Sequence, residues 1–166
     1  MNINIALLTV TDTRTLDTDK SGAILVEKIK KANHNLIDRK ICKDNKDEII
    51  KILKQWTEKK DIDVIITTGG TGLTGRDITP EALNEIADKH IPGFGEVFRY
   101  YSLETVGTSS IQSRACAVLA KGKYIFALPG SSGGVTDAWD KILIHQLDKN
   151  HKPCNFVELL PRLKEK

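Results

Sequence analysis

The stretch "DVIITTGGTGLTGRDITPEAL", residues 63–83, contains a strand, a glycine-rich turn and the start of a helix. Residues 63–68 are short, apolar and β-branched, as in a central strand that is covered on both faces. Thr79 is a good N-cap residue and Pro80 suits the first helical position, so we expect a helix from there to about Lys89. A buried strand that leads through a turn into a helix predicts an α/β fold with a mostly parallel sheet.

The same alternation extends in both directions from this stretch. We predict further strands at residues 3–10, 36–42 and 123–130, with the second of these nearer an edge of the sheet. Helical periodicity and capping signals predict helices at residues 21–32, from 45 onward, 94–106, 111–119 and about 135–147. Crossovers of a dozen or more residues place helices on both faces of the sheet, which predicts a three-layer α/β/α architecture.

Length and composition exclude several classes of protein. The 166 residues carry a net charge of +3 with lysines spread along the chain, which argues against nucleic acid as a partner. No apolar stretch approaches the roughly 20 residues of a membrane span, and "MNINIALLTV" lacks a basic leader. Three widely spaced cysteines and four histidines show neither a disulfide framework nor metal-ligand spacing. We expect one cytoplasmic domain over residues 1–166, with no membrane partner.

Polar or glycine-rich turns come directly after every predicted strand. They read "TDTR", "CKDN", "TTGGTGLTGRD" and "LPGSSGG" in chain order. In parallel sheets ligands bind beyond the carboxyl ends of the strands, where these turns meet. The sequence therefore predicts a binding site at this edge of the sheet.

The glycine turn nearly matches two known phosphate-binding motifs. Residues 70–75 fit G-x-G-x-x-G, but the predicted helix cap lies beyond the third glycine and the turn does not come after the first strand, as a dinucleotide site requires. Arg76 and Asp77 stand where a P-loop has a lysine and a hydroxyl residue, which reach phosphate and Mg²⁺. Neither motif therefore explains the turn.

A different kind of phosphate site fits the same residues. Glycines let successive backbone N–H groups approach an anion, and the hydroxyls of Thr68, Thr71 and Thr74 add donors. A carboxylate such as Asp77 beside phosphate requires a cation between them, and Mg²⁺ held by one or two carboxylates plus phosphates is a common arrangement. The residues predict a phosphate site with a metal; the alternative is a tight turn that needs glycine only for positive φ.

Residues 67–83 also resemble the signature of the molybdopterin-binding domain shared by the MoaB, MogA and gephyrin G-domain proteins. The segments "LLTVTDTR", "DKSG", "PGFGEVFR", "SIQSRA" and "ALPGSSGGVTDAW" extend the resemblance over nearly the whole chain, which looks most like the MoaB branch. The resemblance implies an α/β fold, a homotrimer or homohexamer, and molybdenum cofactor biosynthesis beside other proteins of that synthesis. Active members transfer AMP from ATP to the terminal phosphate of molybdopterin with Mg²⁺ and release pyrophosphate.

The resemblance also implies roles for individual residues. The positions that bind nucleotide and phosphate in the family correspond to Gly69, Gly70, Thr71, Gly72 and Arg76. The catalytic positions, which are thought to hold Mg²⁺, correspond to Asp77 and, in a more variable stretch, to Asp44. The molybdopterin-binding positions correspond to Asp12, Arg14, Ser21, Gly130, Ser131 and Ser132.

Ion pairing is an alternative role for the two arginines among these residues. Arg14 also suits a structural pair with Asp12. Arg76 also suits a pair with Asp77 or Glu81, which would brace the loop without touching a ligand.

Capping and packing are alternatives for other positions. Asp44 also suits capping of the helix that comes after it, and Ser21 suits an N-cap beside a solvated Asp19. Arg114, on the predicted helix at residues 111–119, suits packing or a subunit contact as well as a ligand. At the level of function, the alternative is a protein that binds or delivers molybdopterin without catalysis and binds purine nucleotides weakly.

Overall fold

A computed structural model describes residues 2–165; Met1 and Lys166, which the predicted domain includes, lie outside the described residues. The strands are β1 (Asn4–Val10), β2 (Asn35–Cys42), β3 (Val64–Thr68), β4 (Lys89–His90), β5 (Cys116–Ala120) and β6 (Lys123–Leu128). The helices are α1 (Lys20–Lys31), α2 (Lys46–Glu58), α3 (Thr79–Ile86), α4 (Pro92–Val106), α5 (Ser132–Ala138), α6 (Ile144–Gln146) and α7 (Phe156–Leu159). Two 3₁₀ turns, Gly107–Gln112 and Leu160–Arg162, and a π-helical stretch, Trp139–Leu143, complete the regular structure of this part of the chain.

All six strands form one sheet in the order β2-β1-β3-β6-β5-β4. β2, β1, β3 and β6 are parallel to one another, while β5 runs antiparallel between β6 and β4. The predicted α/β class with a mostly parallel sheet is confirmed, as are the central place of β3 and the edge position of β2. The carboxyl ends of the four parallel strands therefore meet at one edge.

Two hydrophobic clusters cover the two faces of the sheet. Successive residues of β1 alternate between them, with Ile5 and Leu7 in one cluster and Ala6 and Leu8 in the other. Helices α1, α4 and α5 contribute to the first cluster, and α2 and α3 to the second. The result is the predicted three-layer arrangement. Within residues 2–165, no helix is long and apolar enough to span a membrane.

The helix predicted at residues 111–119 is wrong. Its first residues belong to the 3₁₀ turn Gly107–Gln112, and its second half is strand β5, which pairs with β6. The two strands are joined by Lys121 and Gly122, whose φ angles of 51° and 74° suit a two-residue hairpin turn. The short apolar run of β5 has no decisive period, so its pairing partner decides its conformation.

The predicted cap of α3 is also wrong. Ile78 is the N-cap residue and makes no side-chain capping bond, while Thr79 is already inside the helix. The Thr79 hydroxyl donates instead to the carbonyl oxygen of Gly69, at 2.8 Å. Helix α3 ends at Ile86 rather than near Lys89, because the chain turns there into β4 at the sheet edge.

The last long helical segment contains a wide turn. α5 continues without a break into a π-helical stretch, Trp139–Leu143, and then into α6. Ser132 and Thr136 of α5 line a cavity that adjoins the candidate site described below, whereas Trp139, Ile142 and Leu143 are buried in the core.

Candidate functional site

The candidate site is a cleft of about 430 Å³ at the carboxyl ends of the four parallel strands. The connections after β1, β2, β3 and β6 all contribute to its wall, because these strands end at the same edge. Residues predicted from the sequence that line this cleft are Arg14, Ser21, Asp44, Gly69, Gly70, Arg76, Asp77, Gly130 and Ser131. The other predicted residues lie beside it: Asp12 pairs with Arg76, Thr71 and Gly72 continue the loop, and Ser132 lines a neighbouring cavity.

Residues 69–78, here called the glycine loop, take a path that only glycine permits at its start. Gly69 and Gly70 have φ angles of 100° and 68°, in the left-handed region. A Cβ on Gly69 would lie 2.2 Å from the carbonyl oxygen of Val10. The amide of Gly69 donates to the carbonyl oxygen of Leu128 at 3.0 Å. The amide of Thr79 donates to the carbonyl oxygen of Gly70, also at 3.0 Å. The base of the loop is therefore hydrogen-bonded to β6 and α3 and packs closely against the end of β1.

Asp77 closes the glycine loop with its own side chain. Its Oδ2 atom accepts hydrogen bonds from the amide of Thr74 at 2.9 Å and from the hydroxyl of Thr74 at 2.7 Å. Burial alone would raise the pKa of this carboxyl, but the Thr74 bonds, the Gly72 amide and the Arg114 charge lower it below the ordinary 3.8. Asp77 is thus ionised at neutral pH.

Asp44 faces the cleft and is not a helix cap. Its carboxylate lies against the glycine loop, where a Cβ on Gly70 would be 3.3 Å from Asp44 Oδ1. Its amide donates to Asp12 Oδ1 at 3.1 Å. Helix α2 is capped by Asn45, whose Oδ1 atom accepts from the amide of Glu48 at 3.0 Å, so the predicted start of this helix is confirmed.

Negative charge accumulates at this corner of the cleft. Burial, and then the charges of Asp12 and Asp77, raise the pKa of the Asp44 carboxyl above its ordinary value, with Arg76 offsetting them only in part. Arg76 pairs with Asp12, with Nη2 and Oδ2 3.1 Å apart, which is neither of the partners considered from the sequence.

The donor set at this corner fits a hard cation that shares its coordination with a ligand. In residues 2–165, no group of three or more His, Cys, Asp or Glu side chains is placed to hold a metal alone. Asp44 and Asp77 offer oxygen donors, and the excess negative charge around Asp44 is relieved by a cation. One or two carboxylates completed by phosphate oxygens are the usual surroundings of Mg²⁺.

Arg14 and Ser21 lie side by side above a buried carboxylate. Arg14 Nη1 is 3.4 Å from Ser21 Oγ and 3.3 Å from the carbonyl oxygen of Gly130, so it bridges the turns after β1 and β6. Beneath them Asp19 is 1% exposed and caps α1: its Oδ1 accepts from the amide of Gly22 at 2.9 Å and from Ser21 Oγ at 3.2 Å. The alternative in which Ser21 caps the helix and Asp19 is solvated is therefore wrong.

The other oxygen of Asp19 completes a network that the sequence did not predict. Oδ2 accepts from Thr9 Oγ1 at 2.6 Å and from Arg39 Nη2 at 3.0 Å. Burial alone would raise the pKa of Asp19, but the bonds from Thr9, Gly22, Arg39 and Ser21 outweigh it and lower the pKa. The motif "DKSG" marks this position, but nothing in the sequence connects it with Arg39 on the next strand.

A second cavity of about 640 Å³, here called the serine groove, adjoins the cleft. α4, the first 3₁₀ turn and the start of α5 form its walls, and its lining includes Phe98, Val106, Ser109, Ser113, Ser131 and Ser132. Ser131 also lines the cleft and caps α5, accepting a hydrogen bond from the amide of Gly134 at 3.1 Å. The two cavities therefore meet at Ser131. Because a helix was predicted at residues 111–119, Ser113 was not expected to line a cavity.

Arg114 is a further residue whose place was not predicted. It lies in the extended segment before β5, and its Nε atom donates to the carbonyl oxygen of Gly72 at 2.7 Å. The two residues are 42 positions apart in sequence, so no local pattern signals the contact.

Known sequences similar to this chain agree on one family. A family model described as "Probable molybdopterin binding domain" matches residues 6–149. Molybdenum cofactor biosynthesis protein B of Escherichia coli (strain K12) is 44% identical over 152 residues, which cover 92% of this chain and 89% of that protein.

Solved structures share the fold over nearly its whole length. A crystal structure of a molybdenum cofactor biosynthesis protein B has a TM-score of 0.90 at 38% identity and covers 100% of this chain and 98% of its own. The tungsten cofactor synthesizing protein MoaB of Pyrococcus furiosus has a TM-score of 0.81 at 31% identity, with coverage of 99% and 98%.

Proposed function

This chain belongs to the molybdopterin-binding domain family, and we propose that it acts in molybdenum cofactor biosynthesis by transferring AMP from ATP to the terminal phosphate of molybdopterin. The observation that carries this proposal is the convergence of the glycine loop with Asp77 and Asp44 in one cleft. A loop that brings backbone groups to phosphate, beside carboxylates that require a cation, is suited to a metal-bound polyphosphate.

In this proposal the cleft holds the phosphates of ATP. Gly69 and Gly70 place no side chain in the wall, so phosphate oxygens can come close to the backbone. Arg14 and Arg76 add positive charge from the connections after β1 and β3, which end next to each other. The Asp12 partner of Arg76 is exchangeable for a phosphate, because the side chain of Arg76 is 74% exposed.

The serine groove is the proposed place of the pterin. Pterins are flat and rich in hydrogen-bonding groups, and the groove combines an apolar lining, which includes Val106 and Pro129, with several hydroxyls. Ser131 stands where the groove opens into the cleft, so a molybdopterin in the groove can extend its phosphate toward the nucleotide.

The reaction needs alignment and charge neutralisation more than proton transfer. An oxygen of the molybdopterin phosphate attacks the α-phosphorus of ATP, and the bond to the bridging oxygen breaks with its electron pair leaving on pyrophosphate. The attacking oxygen is already anionic, so neither a base nor a covalent nucleophile is required. Asp77 and Asp44 would hold Mg²⁺ together with the nucleotide phosphates, and the ion would supply positive charge to offset that of the phosphates.

A pyrophosphate-release assay tests the proposal. Purified protein with ATP, Mg²⁺ and molybdopterin should yield pyrophosphate and adenylylated molybdopterin in equal amounts, and excess EDTA should stop the reaction. Saturable molybdopterin binding without pyrophosphate above the no-protein control would favour the alternative, a binding or delivery protein.

We further propose that the chain forms a homotrimer or homohexamer. Large apolar side chains on α4 and the turn after it are exposed, including Val97, Tyr100, Leu103, Val106 and Ile111. Contiguous exposed apolar surface of this kind commonly marks a subunit contact. Light scattering after gel filtration tests the assembly, and a monomer at micromolar concentration would exclude it.

A further inference from the structure

Arg114 meets the glycine loop with its backbone and its side chain together. Its amide donates to the carbonyl oxygen of Thr71 at 2.8 Å, and its Nε atom donates to that of Gly72 at 2.7 Å. Its Nη2 atom donates to the carbonyl oxygen of Asp77 at 3.0 Å. Both ends of the loop segment that carries Asp77 are therefore bound to one side chain.

The third nitrogen of the guanidinium joins the loop to the helix behind it. Nη1 of Arg114 forms an ion pair with Glu81, in the first turn of α3. The other carboxylate oxygen of Glu81 is buried and has no hydrogen-bond partner in the described residues, so loss of Arg114 would remove the cation that pairs with this partly buried carboxylate. A planar guanidinium can serve two carbonyls and a carboxylate at once, which a lysine ammonium does less well.

We infer that Arg114 is a positioning residue, which fixes the glycine loop and thereby the place of the Asp77 carboxylate relative to Gly69 and Gly70. Its effect on turnover rests on the proposed function, whereas its effect on the loop does not. Because Ser113 lines the serine groove and Arg114 holds the glycine loop, one short segment also links the walls of the two cavities.

Arg99 provides a matched control in the same part of the fold. Its Nη1 atom donates to the carbonyl oxygens of Ser113 at 3.3 Å and Ala115 at 3.0 Å, the two neighbours of Arg114. It thus stabilises the same extended segment from α4, and none of its hydrogen bonds in residues 2–165 reaches the glycine loop.

Hydrogen exchange of the ligand-free protein tests the inference directly. The amides to follow are those of Thr74, Asp77 and Thr79, whose hydrogen bonds lie within the loop or at its end. In Arg114→Met these amides should exchange at least about tenfold faster than in the wild type, and in Arg99→Met they should not. Unchanged exchange in Arg114→Met, or equal acceleration in both variants, would overturn the inference.

Nucleotide binding gives a second readout, which a general loss of stability would not reproduce. Arg114→Met should weaken ATP binding in calorimetry by about tenfold or more while Arg99→Met, at a similar loss in Tm, leaves it within about twofold.

Arg114→Lys, which keeps the charge beside Glu81, should fold if Arg114→Met does not and should still show faster loop exchange. Wild-type exchange in Arg114→Lys would contradict the bridging role. A wild type that fails to bind ATP would refute the proposed function, while the exchange result would still decide the inference.

Discussion

Asp12 and Arg76 form an ion pair across the mouth of the cleft, with Oδ2 and Nη2 3.1 Å apart. The pair joins the turn after β1 to the glycine loop. Exposed pairs of this kind contribute about 0–1 kcal/mol, so a bound phosphate can replace Asp12 as the partner of Arg76 at small cost. Asp12 therefore holds Arg76 at the cleft in the ligand-free protein, and under the proposed function it would compete with the phosphates for this arginine.

Asp12→Asn should tighten ATP binding. Asparagine keeps an oxygen for the amide of Asp44 but removes the charge that pairs with Arg76 and repels phosphates. We expect about threefold tighter ATP binding in calorimetry and a stability change within about 0.5 kcal/mol. Asp61→Asn, before the amino end of β3, controls for net charge; weaker ATP binding by Asp12→Asn would show that Asp12 contacts the ligand favourably.

Asp44→Asn should stabilise the ligand-free protein while reducing turnover. The folded pKa of Asp44 lies above its unfolded value, so its ionised form costs stability. This cost is absent below the ordinary pKa of 3.8, grows as pH rises past it and is complete above the raised pKa. At pH 7 the variant should melt about 1–3 °C higher, a gain that vanishes toward about pH 3. A lower Tm at pH 7 would contradict the direction of the shift.

Asp19→Asn should be strongly destabilising, because it leaves Arg39 without its buried carboxylate. Loss of one partner of a buried pair costs about 3 kcal/mol or more. The folded pKa of Asp19 is lowered, so its contribution is complete above 3.8 and is lost as pH falls through the folded value. Denaturant titrations at about pH 7 and pH 3 should show the difference from wild type shrinking in acid. The exposed Asp17→Asn is the control, and equal stability of the two variants at neutral pH would refute the network's role.

Gly69→Ala should disrupt the glycine loop, whereas Gly75→Ala should be tolerated. The added methyl group at position 69 meets the Val10 carbonyl, and φ is unfavourable, while position 75 has open space. We expect a loss of about 2 kcal/mol or more for Gly69→Ala by thermal denaturation, with ATP binding abolished. The Gly75→Ala protein should stay within about 0.5 kcal/mol of wild type. Equal Tm values would mean that the loop has no fixed path.

Asp77→Asn should nearly abolish pyrophosphate release while molybdopterin still binds. Asparagine can retain one Thr74 bond, so the loop should persist, but the negative charge that would face Mg²⁺ is lost. We expect turnover to fall by about 10²–10³-fold. Fluorescence titration with molybdopterin is the matching control. Wild-type turnover in this variant would remove Asp77 from the mechanism.

Local patterns predicted the parallel strands and the edge at which they end, because β1, β3 and β6 are mostly apolar and each leads into a polar or glycine-rich turn. Strand β5 escaped prediction because its short apolar run fits a helix or a strand equally well until its partner β6 is known. Gly122, with its positive φ angle in the turn between them, is the local residue that marks that hairpin.

In the site, too, local sequence patterns predicted some features, while contacts between residues far apart in sequence were not predicted. Turns at strand ends predicted a binding site at this edge of the sheet, and the resemblance pointed to Gly69, Gly70 and Asp77 within it; that Asp44 faces the same cleft is known only from the structure. Arg39 and Asp19 are 20 positions apart in sequence, and Arg114 and Gly72 are 42 apart. No local sequence pattern at either residue of a pair predicts its contact with the other. The misassigned Thr79 shows that a hydroxyl at a helix start can bond to a neighbouring loop instead.

The wide turn at Trp139–Leu143 sets the rotational phase between two halves of one helical segment. An α-helix turns about 100° per residue, so if the same residues formed an unbroken α-helix without the wide turn, α6 and the chain after it would be rotated by that angle relative to α5. Leu147, now 1% exposed, would leave the core, while Ser132 would stay at the serine groove. The extra residue in the wide turn thus lets one continuous segment line a ligand cavity at its start and pack into the hydrophobic core at its end.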